Sequence, residues 1–246
     1  MSREIVVVIP ARMGGSRLPG KPLIEIDGKP MLLHVWERCV QIFSDKDVFV
    51  ATEDREIQDF CQDRQIQCVL TDKAESAIDR IYLFSKRIDS NVYLNVQGDE
   101  PIINPADIKK IAEYAARFPN RVVFGKTPAS YEDFMDISKA KVVCDLEGKL
   151  LYSSRTGIPV GKDGKFYSAE RAIWVYAFPK SSLERYSKAA GLSKLDKIED
   201  NEILRFLEAG EPVYCIDLEG DSWAVDEMKD IEIVEAKIRG RKTKSN

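Results

Sequence analysis

The sequence predicts an α/β protein in which a mostly parallel sheet carries helices on both faces and a β-rich arm is inserted late in the chain. Three observations carry this. Short apolar runs alternate with helical patterns through the first half, closely spaced strand-like pieces follow Arg121, and two helical patterns close the chain. With 246 residues and no repeat or linker, the chain suits one domain over 1–246, with a β-rich extension for substrate and dimer contacts at about 145–180.

The elements follow in order. Ile5 to Ile9 is an unbroken apolar run ended by Pro10, too short for a signal peptide and right for a buried strand. Further strands fit Asp47–Ala51, Gln67–Leu70 and Val92–Val96. Helices fit a segment starting near Pro30, then Asp54–Arg64 and Ser76–Arg87 between those strands. Another fits Ala106–Phe118, where Ile108, Ile111, Ala112 and Ala115 recur at i, i+3, i+4 and i+7. Beyond Arg121 come the strand-like pieces VVFGK, KVVCD, KLLYSS and AIWVYAF, with turns at Glu147-Gly148 and Asp163-Gly164. Helices near Leu195–Ala209 and Asp226–Ile238 finish the chain.

Composition excludes several classes. A net charge of −4 without a basic block argues against a nucleic-acid partner, since phosphate-backbone binding needs a concentrated cationic face. The basic stretch Lys237–Lys244 reads as a frayed helix end and solvated tail. No apolar stretch approaches a membrane span, so no membrane partner is expected. Five scattered cysteines without a C-x-x-C pair fit reduced thiols in a cytoplasmic protein.

The strongest chemical signal is Ala11-Arg-Met-Gly-Gly-Ser-Arg-Leu-Pro-Gly-Lys-Pro22, directly after the first strand. Gly14, Gly15 and Gly20 leave backbone N–H groups accessible, and Arg12, Arg17 and Lys21 supply cations, the combination a triphosphate needs. Neither G-x-G-x-x-G nor G-x-x-x-x-G-K-[ST] occurs. A second signal is Asn95-Val-Gln-Gly-Asp-Glu-Pro101, where a strand ends in an amide, a glycine and two acids. Asp99 suits a Mg²⁺ ligand, because Mg²⁺ takes a few carboxylates and fills its other positions with water or phosphate oxygens; an acidic turn capping the next helix is the plainer alternative. Asp226, where a short apolar run meets a helix, is open between an N-cap and a second magnesium carboxylate. On the helix near Leu195–Ala209, Glu199 and Glu202 share a face with apolar residues, and Glu199 reads best as a rim ion pair with Arg205. The single histidine, His34, has no Ser or Cys motif beside it and reads as structural. A chain without a nucleophile system fits nucleotidyl transfer, in which a substrate hydroxyl attacks.

Together these motifs, with G-K-P-M-L-L-H-V, K-V-V-C-D, L-Y-S-S-R and the late V-D, resemble the CMP-Kdo synthetases, the 3-deoxy-manno-octulosonate cytidylyltransferases, over nearly the whole chain. The resemblance implies a Rossmann-like fold of the nucleotide-diphospho-sugar transferase type, a homodimer, Mg²⁺ as cofactor, and transfer of CMP from CTP to an acid sugar destined for a cell-surface glycan such as lipopolysaccharide. It implies that Ala11, Arg12, Gly14, Ser16, Arg17 and Lys21, with Ser76, Arg80 and Gln97, bind the nucleotide. Lys21, Asp99 and Asp226 would be catalytic, the two aspartates as metal ligands. Gln97, Arg155, Arg171, Tyr176 and Glu202 would face the sugar acid. The chain departs from the family at Ala77-Ile78 (Gly-Thr there), at Ala172 and Trp174 (His and Gly) and at Ile203 (Gln). Those changes imply an acceptor with a less polar or differently decorated body, such as amino-Kdo, a nonulosonic acid or a phosphonate. A catalytically weak binding paralogue is the rival reading, opposed by the intact Lys21, Asp99 and Asp226. A glycosyltransferase would want a D-x-D at a strand end, and Asp45-Lys46-Asp47 precedes its strand.

Overall fold

The computed structural model describes residues 3–15, 17–220 and 222–244, with side chains to Gly240. The chain divides into two compact units, residues 1–109 with 221–246, and residues 110–220. The extension expected at about 145–180 lies inside the second unit.

The first unit holds β1 (Arg3–Pro10), a small hairpin of β2 (Glu25–Ile26) and β3 (Lys29–Pro30), and α1 (Met31–Cys39). Then come β4 (Val48–Thr52), α2 (Arg55–Asp63), β5 (Gln67–Leu70), α3 (Ala77–Ser85) and β6 (Ser90–Val96). Its strands pair in parallel in the order β6-β1-β4-β5, with Val8 opposite Asn95 on one side and Phe49 on the other. Parallel pairing requires a crossover between successive strands, which α1, α2 and α3 supply. Because β1 is central, Val6 to Ile9 are all fully buried, which is why that run has no polar alternation. α2 is amphipathic, burying Ile57 and Cys61 one turn apart.

α4 (Pro105–Arg117) runs on from the first unit into the second. The second unit contains β7 (Val122–Pro128), α5 (Tyr131–Met135), β8 (Lys141–Cys144), β9 (Leu150–Ser154) and β10 (Glu170–Pro179). It continues with α6 (Lys180–Lys188), α7 (Leu195–Ile198), α8 (Ile203–Glu208) and β11 (Val213–Asp217). Here β11 pairs β7 in parallel, while β10 pairs β7 and β8, and β8 pairs β9, all antiparallel. A register shift between Ile173 and Tyr176 marks a bulge in β10. α9 (Met228–Lys244) returns the chain to the first unit.

Two elements differ from their sequence reading. The single helix expected over Leu195–Ala209 is two, broken where Asp200 takes φ 46°. Arg205 bonds Asp196 at 2.8 Å, both side chains almost fully buried, and that cross-link rather than one continuous amphipathic face holds the segment. Ile198, at the end of α7, is 76% exposed. The last helix begins at Met228, not Asp226, because the Asp230 carboxylate accepts the N–H groups of Asp226 (2.9 Å) and Glu227 (2.8 Å) and so caps the helix from within its first turn.

Candidate active site

The glycine loop leaves β1 at the carboxyl end of the parallel strands. Ala11 N–H still bonds Ala51 O at 3.0 Å, and Met13 N–H donates to Asp54 Oδ2 at 2.7 Å. Met13 O accepts from both Gly15 and Gly20 N–H, each at 2.9 Å, so the loop closes on itself. Leu18 pins it from below, packed in a buried cluster with Ile26, Met31, Ile102 and Val225 and with Ile231, Val234 and Ile238 of α9. Arg12 and Arg17 are exposed, and a Cβ added at Gly14 would meet nothing within 4 Å. Gly20 takes φ 72°, a left-handed turn that starts the 3-10 segment Lys21–Leu23 and fixes the base of Lys21. Ser16 lies outside the described residues.

The second wall of the site follows β6. A Cβ on Gly98 would sit 2.6 Å from Pro10 O, so the chain can pass β1 here only as glycine. Asp99 comes next, tied by its carbonyl to Val225 N–H at 2.9 Å, which brings Asp226 alongside. Lys21 Nζ lies 2.7 Å from Asp99 Oδ2 and 3.3 Å from Asp226 Oδ1, and Arg17 Nη2 lies 3.3 Å from the same Asp226 oxygen. With Asp230 capping the helix, the Asp226 carboxylate is left to face these cations. Burial alone would lower the Lys21 pKa, but the charge and hydrogen bond of Asp99, then those of Asp226, outweigh it and raise it above the ordinary lysine value. The neighbouring Glu100 accepts a short hydrogen bond from Ser222. Gln97 is half-buried beside Gly98, its carbonyl receiving Glu100 N–H at 3.2 Å.

Arg12, Gly14, Arg17, Lys21, Gln97, Asp99 and Asp226 thus gather at one end of one sheet, with Ala11 buried at the base of the loop. Ser76 and Arg80 are used differently. Ser76 caps α3, accepting from Asp79 N–H at 3.1 Å. Arg80 is buried, with Nη2 2.9 Å from Glu53 Oε2 and Nη1 2.8 Å from Thr71 Oγ1. Glu53 and Asp54, which brace this region, were readable as acids closing β4 at the same sheet edge. His34 bonds Ile26 O at 2.8 Å; burial first lowers its pKa, against that bond, as a structural histidine requires.

In the second unit the arginines are heavily engaged. Arg155 donates from Nε to Glu199 O (2.7 Å), from Nη1 to Ser138 O (2.9 Å) and from Nη2 to Asp200 O (2.5 Å). The Glu199 carboxylate accepts from Ser154 Oγ (2.8 Å) and Arg155 N–H (2.9 Å), so its partner is not Arg205. Arg171 Nη2 donates to Gly220 O at 3.2 Å; its Nε is 3.3 Å from Asp133 Oδ2, close enough for an ion pair but not aligned to bond. Tyr176 is 5% exposed, stacked between Trp174 and Phe178. Glu202 is half-buried at the start of α8. Of the positions where the chain departs from the family pattern, Ile78 and Ile203 are fully buried and Ala172 nearly so, while Ala77 and Trp174 stay partly open.

A glycine loop bearing two arginines, two adjacent carboxylates and a lysine thus meet at the carboxyl end of a parallel sheet, the edge at which α/β proteins bind their ligands. Residues 6–216 match the family described as Cytidylyltransferase, and the chain belongs to it. It is 32% identical to the 3-deoxy-manno-octulosonate cytidylyltransferase of Acidobacterium capsulatum, covering 98% of this chain and 99% of that one. It is 35% identical to the 8-amino-3,8-dideoxy-manno-octulosonate cytidylyltransferase of Shewanella piezotolerans, over 96% and 98%. Among solved structures it matches a CMP:2-keto-3-deoxy-manno-octonic acid synthetase complexed with CTP, with a TM-score of 0.90 and 32% identity over 97% of this chain and 99% of that one. A cytidylyltransferase from Leptospira borgpetersenii shares the fold at 15% identity and a TM-score of 0.65.

Proposed function

We propose that this enzyme transfers CMP from CTP to Kdo or a Kdo-like 2-keto acid sugar, releasing pyrophosphate. The observation that supports this most is the meeting of Lys21, Asp99 and Asp226 beside the glycine loop, in a chain similar over nearly its whole length to enzymes of both Kdo and 8-amino-Kdo. The triphosphate would lie along the loop, with Arg12, Arg17 and Lys21 opposing its charge and the open edge at Gly14 admitting its oxygens. The anomeric hydroxyl of the acid sugar attacks the α-phosphorus in line. Its oxygen forms the new P–O bond, the bond to the β-phosphate breaks, and the hydroxyl proton passes to solvent water. Lys21 and the loop arginines stabilise the negative charge that accumulates on the departing pyrophosphate.

Asp99 and Asp226 would hold Mg²⁺. Two hard oxygen donors meeting around one cation position fit that ion, and no group of three or more His, Cys, Asp or Glu able to hold a metal occurs among the described residues, so its remaining ligands would be water and phosphate. When bound, magnesium would add positive charge at the phosphates. In the second unit Arg171, with its hydrogen bond to Gly220 O, is the better candidate to meet the carboxylate of the acid sugar. Arg155 and Tyr176 are committed to the protein's own packing and would act by shaping the second unit. Because Ile78, Ala172 and Ile203 are packed inside, the case for a changed acceptor narrows to Ala77 and Trp174. A homodimer in the cytoplasm completes the proposal.

Pyrophosphate release should be measured with CTP, UTP, ATP and GTP, with and without EDTA. The proposal expects a clear preference for CTP and no turnover in EDTA; equal rates with ATP, or full activity in EDTA, would overturn it.

A further inference from the structure

Lys21 occupies the place between the two carboxylates that the proposed function assigns to the metal. Its ammonium is 2.7 Å from Asp99 and 3.3 Å from Asp226, and the Val225–Asp99 backbone bond holds the two acidic segments together whatever their charges do. Two carboxylates held side by side repel each other unless a cation or a shared proton lies between them. A divalent ion taken up by the same carboxylate oxygens would compete with the ammonium for them. The backbone of Lys21 is set by Gly20 and the following 3-10 turn, whereas its head rides on a flexible four-carbon stem and can move without disturbing the loop.

We propose that Lys21 is an internal stand-in cation: without nucleotide it neutralises Asp99 and Asp226 and keeps divalent metal weakly bound, and an arriving triphosphate draws the ammonium away so that metal binds tightly only alongside nucleotide. The inference rests on the assignment of the two aspartates to metal made under Proposed function. The triphosphate is the stronger partner for the ammonium because it offers several charged oxygens along the same loop. The exchange swaps one cation for another at the carboxylates, so neither state leaves them unneutralised. Coupling of this kind is reciprocal, so metal raises nucleotide affinity by the factor by which nucleotide raises metal affinity. Arg17 is 60% exposed, and among the described residues its ion pair is with Asp226, so it reaches one of the two carboxylates.

The test uses Mn²⁺ as a paramagnetic probe on the full chain, with affinity read from water-proton relaxation, with and without CTP and with no acid sugar present. Wild type should bind Mn²⁺ at least tenfold more tightly with CTP than without. Lys21→Met should bind Mn²⁺ without CTP at least tenfold more tightly than wild type, and adding Asp99→Asn should erase that gain. If Lys21→Met is unstable on its own, Mn²⁺ should raise its Tm more than that of wild type. Lys21→Met with wild-type Mn²⁺ affinity and no extra thermal gain overturns the stand-in role, and leaves the metal assignment standing if Asp99→Asn and Asp226→Asn weaken Mn²⁺ binding in CTP. If those two variants bind Mn²⁺ in CTP like wild type, the metal assignment fails and the inference falls with it.

Discussion

Gly98→Ala puts one methyl group where β6 hands over to Asp99. That carbon would lie 2.6 Å from Pro10 O and 3.5 Å from Ile9 Cγ2. The obstacle is backbone, not the end of a flexible side chain, and β1 is held between β4 and β6 by parallel ladders, so it cannot retreat freely. Restoring an ordinary contact means moving the Gly98–Asp99 segment by the better part of an ångström. Overpacking of this kind costs about 1–3 kcal/mol, and for a chain of this size each kcal/mol corresponds to roughly 2–4 °C in Tm. The effect on catalysis should be larger, because displacements near 1 Å at a reacting centre cost on the order of a hundredfold in rate. Gly14→Ala is the matched control, since nothing lies within 4 Å of its added carbon: Tm should hold while KM for CTP rises. Thermal melts and CTP-dependent pyrophosphate release on both variants decide it. Wild-type kcat and Tm in Gly98→Ala would refute the reasoning.

Asp99→Asn and Asp226→Asn should each lower kcat at least roughly a hundredfold with circular dichroism unchanged, as removal of one carboxylate from a hard-cation site implies; a wild-type rate in either would remove that residue from the site. Arg155→Lys should lower Tm while leaving KM for the acid sugar near wild type, because its donors are taken by Glu199, Ser138 and Asp200; a raised KM at unchanged Tm would mean that it grips substrate instead. Asp196→Ala should cost about 3–5 kcal/mol in chemical denaturation by removing the carboxylate that neutralises the buried Arg205. Burial would raise the Asp196 pKa, but Arg205 and Ser193 outweigh it and hold it below the ordinary 3.8. Its stabilising effect is therefore present above that unfolded value and is lost as pH falls through the lower folded one, so the stability gap between wild type and Asp196→Ala should close only in strong acid.

The first unit was legible because its signals are local. An unbroken apolar run forces β1 to the centre of a parallel sheet, and glycines with cations directly after it can only lie at that sheet's carboxyl edge. Asp226 was not settled by sequence, since an acid before a helix fits a cap and a ligand equally; Asp230, four residues on, takes the capping bonds, so the cap reading falls. The second unit was less legible because its key contacts are long-range and polar. Periodicity reads a single helix through Glu199 and Asp200, and only the Asp196–Arg205 bond and the Arg155 cross-links show why it breaks. Ile78 and Ile203 depart from the family pattern at motif positions, yet both fill the core, a distinction that residue identity alone does not carry.

The most direct test of the account is to incubate the enzyme with CTP and Mg²⁺, with and without Kdo or 8-amino-3,8-dideoxy-Kdo, and follow the phosphorus NMR spectrum. A new phosphodiester signal matched one for one by pyrophosphate is expected only when an acid sugar is present, and not when UTP replaces CTP. Pyrophosphate released at the same rate without any acid sugar, or no phosphodiester with either one, would contradict it.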